Sequence, residues 1–340
     1  MPRLARVLSI DGGGMYGIIP GQVLVALEAG LQRLSARPDL RLADCFDLIA
    51  GTSTGGILAC IYLCPDGAGG GRPRFSASDA VDIYLSRGAR IFHASPWQRL
   101  RSLGGLVKAK YLPRELEKAF VDHVGDLRLG ELLKPCLMTS YDIERRRIVY
   151  LTRDDARSDP ALDFLVRDAL RATSAAPGLF GLAVVRSATG VRYALVDGSV
   201  FANNPALSAY AEARRCLPGR PAARDMLLLS VGTGFTGRPY DHRAARDWGA
   251  LRWSGPIMKI MMSASSEAVH RELEQIFESA GSREHYLRVN SPMKLVSSAM
   301  DDASPQSIRH LRMEGDRVAR EFDRELERFA GLLLQWPADG

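Results

Sequence analysis

Gly51-Thr52-Ser53-Thr54-Gly55 fits G-x-S-x-G, the spacing that sets a serine on a sharp turn between a strand and a helix. The apolar run "DCFDLIA" enters it and "GILACIYL" leaves it, which supplies that context. A chance match is easy in a chain with 32 glycines, but a chance match has no reason to sit between two apolar runs. Ser53 is therefore a candidate nucleophile. A serine hydroxyl attacks weakly until a base takes its proton, so the chain must supply a base elsewhere. The helix that starts at Thr54 offers unpaired N–H groups and a partial positive charge. The Thr54 backbone is thus a candidate donor to a developing oxyanion.

A second glycine turn, "SIDGGGMYGIIPG" (9–21), puts Gly12, Gly13 and Gly14 between an apolar strand and a helix. Successive backbone N–H groups of such a turn can converge on one oxygen. Two βα units of a parallel sheet bring their turns to the same carboxyl edge, so these glycines are expected to complete an oxyanion hole beside Ser53. Gly12-x-Gly14-x-x-Gly17 also matches the dinucleotide fingerprint. That fingerprint wants an acidic residue at the end of the second strand. Here the second strand ends in "LIAG", so a nucleotide cofactor is disfavoured.

The elements around these turns read as an α/β fold. "RVLSID" (6–11), "CFDLIA" (45–50), "CLMTSYDI" (136–143), "RIVYLT" (147–152), "RYALVDGS" (192–199), "MLLLSVGTG" (226–234) and "HYLRVN" (285–290) are strand-like. Helical spacing marks 18–35, 56–63, 164–180, 248–279 and one last amphipathic helix after Ser304-Pro305. That helix carries Ile308, Leu311, Val318, Phe322, Leu326 and Phe329 on one face. The alternation predicts three layers: a mostly parallel central sheet with helices on both faces and a helical insertion near 64–135. One domain over 1–340 is expected, with core motifs in 6–234 and a C-terminal helical part over 248–340.

Basic residues number 45 and acidic residues 39, a net charge of 45 − 39 = +6. That suits contact with anionic surfaces. No dense basic tract interleaved with aromatics occurs, so a nucleic-acid polymer is not expected as partner. Cys45, Cys60, Cys64, Cys136 and Cys216 form no C-x-x-C pair and are expected to be reduced thiols. No cluster with metal-ligand spacing is seen, and neither metal nor organic cofactor is expected. No signal peptide is visible, and "GGILACIYLC" is too short for a bilayer, which needs about 20 apolar residues. A cytoplasmic protein with peripheral membrane contact is expected. "RIFHASPWQRLRSLGGLVKAKYL" (90–112) is the candidate interface. There Trp97, Leu100, Leu103, Leu106 and Val107 would enter lipid and Arg99, Arg101, Lys108 and Lys110 would meet headgroups.

"VLSIDGGGMYGIIPG", "ADCFDLIAGTSTGG", "RATSAAPGLF", "VDGSVFANNPA" and "SVGTG" together resemble, in order, the motifs of the patatin-like phospholipase family, and cover residues 6 to about 234. "MDDASPQSIRHL" (300–311) is similar to the C-terminal part of plant-type patatins. The resemblance implies hydrolysis of membrane phospholipid acyl esters by a Ser–Asp dyad, with the glycine loop as oxyanion hole. It assigns the missing base to Asp197, in "LVDGSVFANNP". A carboxylate is a weak base at its ordinary pKa of about 3.9, so a dry site must raise its proton affinity. The competing reading makes Asp197 only the closing group of an Asx-turn.

A histidine triad is the other possibility for the base. Among His93, His123, His242, His270, His285 and His310, the order Ser53…Asp197…His285 would suit an α/β-hydrolase, but none lies in a glycine turn after an obvious strand. Two positions depart from the family pattern. Tyr16 stands where a basic residue is usual, and Ser199 follows Asp197-Gly198 where glycine or alanine is usual. Asn203 and Asn204 are expected to hold the Asp197 loop, and Arg171 to hold structure by ion pairing. Some bacterial members serve in anti-phage defence and are switched on by a cyclic nucleotide. The resemblance raises that expectation without assigning a residue to it, and a homo-oligomer is equally compatible. The alternative function is a storage or lipid-binding protein without turnover.

Overall fold

The structure, a computed structural model, describes residues 4–67, 71–95, 102, 107–235, 239–296 and 299–335, with the backbone alone at 251 and 254. Eight strands form one sheet: β1 Ala5–Ile10, β2 Leu48–Gly51, β3 Cys136–Asp142, β4 Arg147–Thr152, β5 Ala183–Arg186, β6 Arg192–Asp197, β7 Met226–Val231 and β8 Tyr286–Val289. β3, β2, β1, β7 and β8 run parallel to their neighbours, so their carboxyl ends share one edge. β4 and β6 are antiparallel to β3, and β5 is antiparallel to β6. The mostly parallel sheet expected from the sequence is present. β5, a four-residue strand with alternating burial, had escaped the sequence reading.

Register explains why two distant turns meet. β4 pairs with β3 from Leu137 to Asp142 and so fills one edge of it. β2 pairs with β3 up to Gly51↔Met138, and β6 pairs with it from Ser140↔Asp197 onward. A strand has only two edges, so β2 and β6 share the other one and approach it from opposite directions. The carboxyl end of β2 therefore points at the carboxyl end of β6. Ser53 follows the first, and Asp197 closes the second.

Side chains of β1 alternate between two cores. Leu8 and Ile10 face the larger one, with the helices Ile18–Ser35 and Thr54–Leu63, while Val7 faces the smaller one, with Ala206, Ala209, Leu273 and Phe277. Those last four come from the helices Ala206–Cys216 and Ala250–Ser279, which makes the third layer. The segment Gly14–Ser35 is long and apolar enough by length and composition to cross a membrane, longer than the stretch singled out from the sequence. Its apolar window is 67% buried within the fold, as a core helix beside the sheet. The single last helix of the sequence reading is two, Pro305–Glu321 and Asp323–Leu334, broken where Phe322 leaves helical geometry. Leu311, Val318, Leu326 and Phe329 of the expected face are buried.

The insertion contributes the helices Ala77–Ile91 and Arg114–Val124. In the candidate membrane segment, Trp97, Arg99, Leu100, Arg101, Leu103 and Leu106 lie outside the described residues. Val107 is exposed, but Lys110 is held by Asp301 at 2.5 Å, so it is already paired with a carboxylate.

Candidate active site

Ser53 sits at φ 53°, ψ −119°, a region that non-glycine residues rarely occupy. Such a backbone costs on the order of 1–3 kcal/mol and persists only where its surroundings impose it. The two glycines of the motif do so by close approach. A Cβ on Gly51 would lie 2.1 Å from the Gly55 backbone, and one on Gly55 would lie 2.2 Å from the Ile10 carbonyl oxygen. The Ser53 N–H donates to Thr173 Oγ1 at 2.9 Å, and that hydroxyl donates to the Thr139 carbonyl at 2.8 Å. Thr173, from "RATSAAPGLF", thus fixes the elbow against β3, a role the sequence reading did not give it.

Asp197 is 1% exposed. Its Oδ1 accepts from the Ser199 N–H at 2.8 Å and the Ser199 hydroxyl at 2.7 Å. The Asx-turn reading and the base reading are therefore compatible: Oδ1 closes the turn, and Oδ2 is left for another donor. Burial raises the carboxyl pKa to about 6, against the lowering effects of the Ser53 hydroxyl and the two Ser199 donors. Ser199, a departure from the family pattern, is thus a contact that holds down the proton affinity of Asp197. In Ser199→Gly the hydroxyl donor is gone and the N–H remains. The acid limb of kcat/KM should then move to higher pH with little change in the plateau, which a pH–rate profile on a soluble ester reads directly.

The glycine loop reaches the same place. Its Gly12 N–H, expected to face the oxyanion, donates instead to the Asn203 carbonyl at 2.9 Å. That bond ties the glycine loop to the loop after β6 and removes Gly12 from the donor set. Gly13, Gly14 and Thr54 have backbone N–H groups with no acceptor among the described residues. Thr233 Oγ1 donates to the Gly12 carbonyl at 2.9 Å, and the Met15 N–H donates to the Met300 carbonyl at 2.8 Å. Beneath the loop, Arg288 of β8 holds both oxygens of Asp11, at 2.7 and 2.5 Å, in a buried ion pair.

The other expected positions fall into place around this centre. Asn204 Oδ1 accepts from the Ala206 N–H at 3.0 Å, and both asparagine amides reach Ser266. Arg171 pairs with Glu117 at 3.2 Å and donates to the Gly181 carbonyl. Among the described residues no histidine is hydrogen-bonded to Ser53 or Asp197, although His123 lines the cavity at Ser53. His285 precedes β8, at its amino end, whereas Ser53 follows the carboxyl end of β2. His123 bonds its own helix at the Ala119 carbonyl, and His270 bonds the Tyr286 hydroxyl. All five cysteines are free thiols, four of them buried.

A cavity of about 230 Å³ opens at Ser53, Asp197, Gly13 and Gly14. Its far walls are apolar: Ile57 and Ile61 behind the elbow, then Ile83, Leu116, Phe120 and Phe180 from the insertion and beyond. Tyr16 does not line it. That side chain faces a second, more polar cavity on the other face of the glycine loop, with Asp11, His270 and Arg288.

The Patatin-like phospholipase family model matches residues 8–210. Patatin group D-2 of Solanum tuberosum is 33% identical over 98% of this chain and 90% of its own length. The chain belongs to the patatin-like phospholipase family. Probable inactive patatin-3-Kuras 1, also of Solanum tuberosum, is 32% identical over 97% of the chain and 93% of that protein. Among solved structures, VipD from Legionella pneumophila aligns with a TM-score of 0.39 and 13% identity, covering 94% of this chain and 67% of that one. Family membership makes lipid acyl hydrolysis the general activity.

Proposed function

We propose that this protein is a serine hydrolase of the phospholipase A type that cleaves acyl esters of membrane glycerophospholipids. The observation that carries the reading is Asp197: buried, raised to about 6, and with Ser53 as one of its hydrogen-bond donors. At pH 7–8 the carboxylate is ionised and a far better base than an ordinary aspartate. Ser53 Oγ attacks the ester carbonyl carbon and its proton passes to Asp197. The oxygen that gains the negative charge lies against the Gly13, Gly14 and Thr54 N–H groups. Collapse expels the lysolipid alcohol, which takes the proton back from Asp197. Water, deprotonated by the same carboxylate, then attacks the acyl-enzyme, releases the fatty acid and restores Ser53. Each oxyanion donor in such a hole is worth roughly 10²–10³ in rate. The apolar cavity takes the acyl chain, whose burial contributes about 0.8 kcal/mol per CH₂.

The second reading, lipid binding or storage without turnover, gains support from the relative named as probably inactive. Incubation with phosphatidylcholine vesicles followed by mass spectrometry separates the two. A hydrolase yields equimolar fatty acid and lysolipid, and a fluorophosphonate probe labels Ser53. Folded protein that yields neither product nor label is a binding protein. The same assay with and without added cyclic nucleotides separates a constitutive enzyme from a signal-activated anti-phage effector.

A further inference from the structure

The helix Ala250–Ser279 exposes a run of large apolar side chains over its first half. Its second half is anchored conventionally, with Leu273 and Phe277 fully buried in the smaller core. In the first half, Lys259, Ser263 and Ser266 line the polar cavity beside the glycine loop, with Lys259 and Ser263 also open to solvent. Met258 and Met262 line the catalytic cavity. The remaining direction holds Trp253, Ile257 and Met261, which are 36%, 39% and 51% exposed, and Met258 at the cavity beside them is 38% exposed. At 3.6 residues per turn, positions i, i+4 and i+8 fall within about 80° of one another, so these three form one stripe. A surface helix normally places its polar residues there.

We propose that this stripe is the face through which the protein seats on a lipid bilayer and admits its substrate, an inference that rests on the lipid-hydrolase reading above. Two observations choose lipid as the occupant. The stripe is continuous with the active site, because Met258 and Met262 of the same turns form the cavity's rim. A bilayer lying on Trp253, Ile257 and Met261 therefore lies against the opening to Ser53. The stripe also runs into an aromatic ladder. Trp253 packs edge-on against Trp248 at 5.3 Å, and Trp248 against the exposed Tyr240 at 6.0 Å. Tyrosine and tryptophan favour the headgroup level, where one end is dry and the other wet. Exposed Arg243, Arg246 and Arg252 in the same stretch supply cations for phosphate. Burial of the apolar side chains supplies the adhesion, and its loss weakens binding steeply.

The test uses the full chain with Trp253→Ser, Ile257→Gln and Met261→Gln combined, none of which lines the catalytic cavity and none of which changes the charge. Flotation with phosphatidylcholine–phosphatidylglycerol vesicles, in a Ser53→Ala background, should weaken on the order of tenfold or more. Hydrolysis of those vesicles should fall in parallel in the Ser53-containing protein, while p-nitrophenyl butyrate, which needs no membrane, is turned over at the parent rate. Unchanged flotation and vesicle hydrolysis would overturn the proposal. So would sedimentation showing a wild-type dimer that the triple variant dissolves, since a second copy would then own the face. If the triple variant fails to fold, Trp253→Phe decides: quenching of tryptophan by brominated lipid should drop, and undiminished quenching places the contact elsewhere. Flotation that depends on the stripe in a protein that cleaves no ester would sink the hydrolase reading and leave this surface standing.

Discussion

Ser53→Ala should remove essentially all esterase activity and leave the fold intact. Losing a serine nucleophile from a hydrolase site costs on the order of 10⁶ in kcat, and what remains comes from the anion hole and binding. The fold should survive because the elbow does not depend on the hydroxyl. Its geometry is imposed by Gly51 and Gly55 and by the bond from the Ser53 N–H to Thr173, all of which alanine keeps. Rates on p-nitrophenyl butyrate, with thermal melts of both proteins, provide the check. A folded variant that retains a rate near wild type would take Ser53 out of the mechanism. The contrast with histidine is sharp: single alanine substitutions at His93, His123, His242, His270, His285 and His310 should each leave most of the activity.

The elbow was legible in the sequence because its cause is local. An apolar strand, a five-residue turn and an apolar helix are contiguous, and parallel βα units must bring two such turns to one edge. Asp197 had no comparable signal. A strand-end aspartate in a turn rich in glycine and asparagine is common, and only family resemblance singled it out. Its physical cause is that β6 meets β2 end to end along β3, a pairing between residues far apart in the chain that no periodicity records. The same holds for Gly12. Three glycines in a row predict three donors, but the Asn203 carbonyl, brought in by the loop after β6, takes one of them. Ser199 could have been anticipated in part, since a serine two residues after an aspartate often closes back on it. The exposed stripe at Trp253, Ile257 and Met261 could not. Its helical spacing is ordinary, and only its exposure in the folded chain, beside the catalytic cavity, marks it.

Asp197→Asn should remove a large share of the activity, though less than Ser53→Ala does, and differ from it in stability. Asparagine keeps Oδ1 as acceptor for both Ser199 donors, so the turn stays closed. It cannot take the Ser53 proton, and removal of a positioned general base costs about 10²–10⁴ in rate. In the wild type the carboxyl pKa is raised from 3.8 to about 6, a difference of about 2 units. At 1.36 kcal/mol per unit this is roughly 3 kcal/mol. The folded state binds the proton more tightly than the unfolded state, so the ionised form is the disfavoured one. Below about pH 4 the group is protonated in both states and has no effect. Between about pH 4 and 6 the wild type loses stability as pH rises, and above that the penalty is constant. The asparagine variant carries no such penalty. Melting temperatures should therefore coincide near pH 4, and the variant should melt higher at pH 8. The wild-type rate should also fall below about pH 6 as the base takes up its proton. A variant that melts lower at pH 8 than at pH 4, relative to wild type, would show that the carboxylate is stabilised in the fold and is no strained base. Full activity with asparagine at 197 would return the search for the base to the rest of the chain.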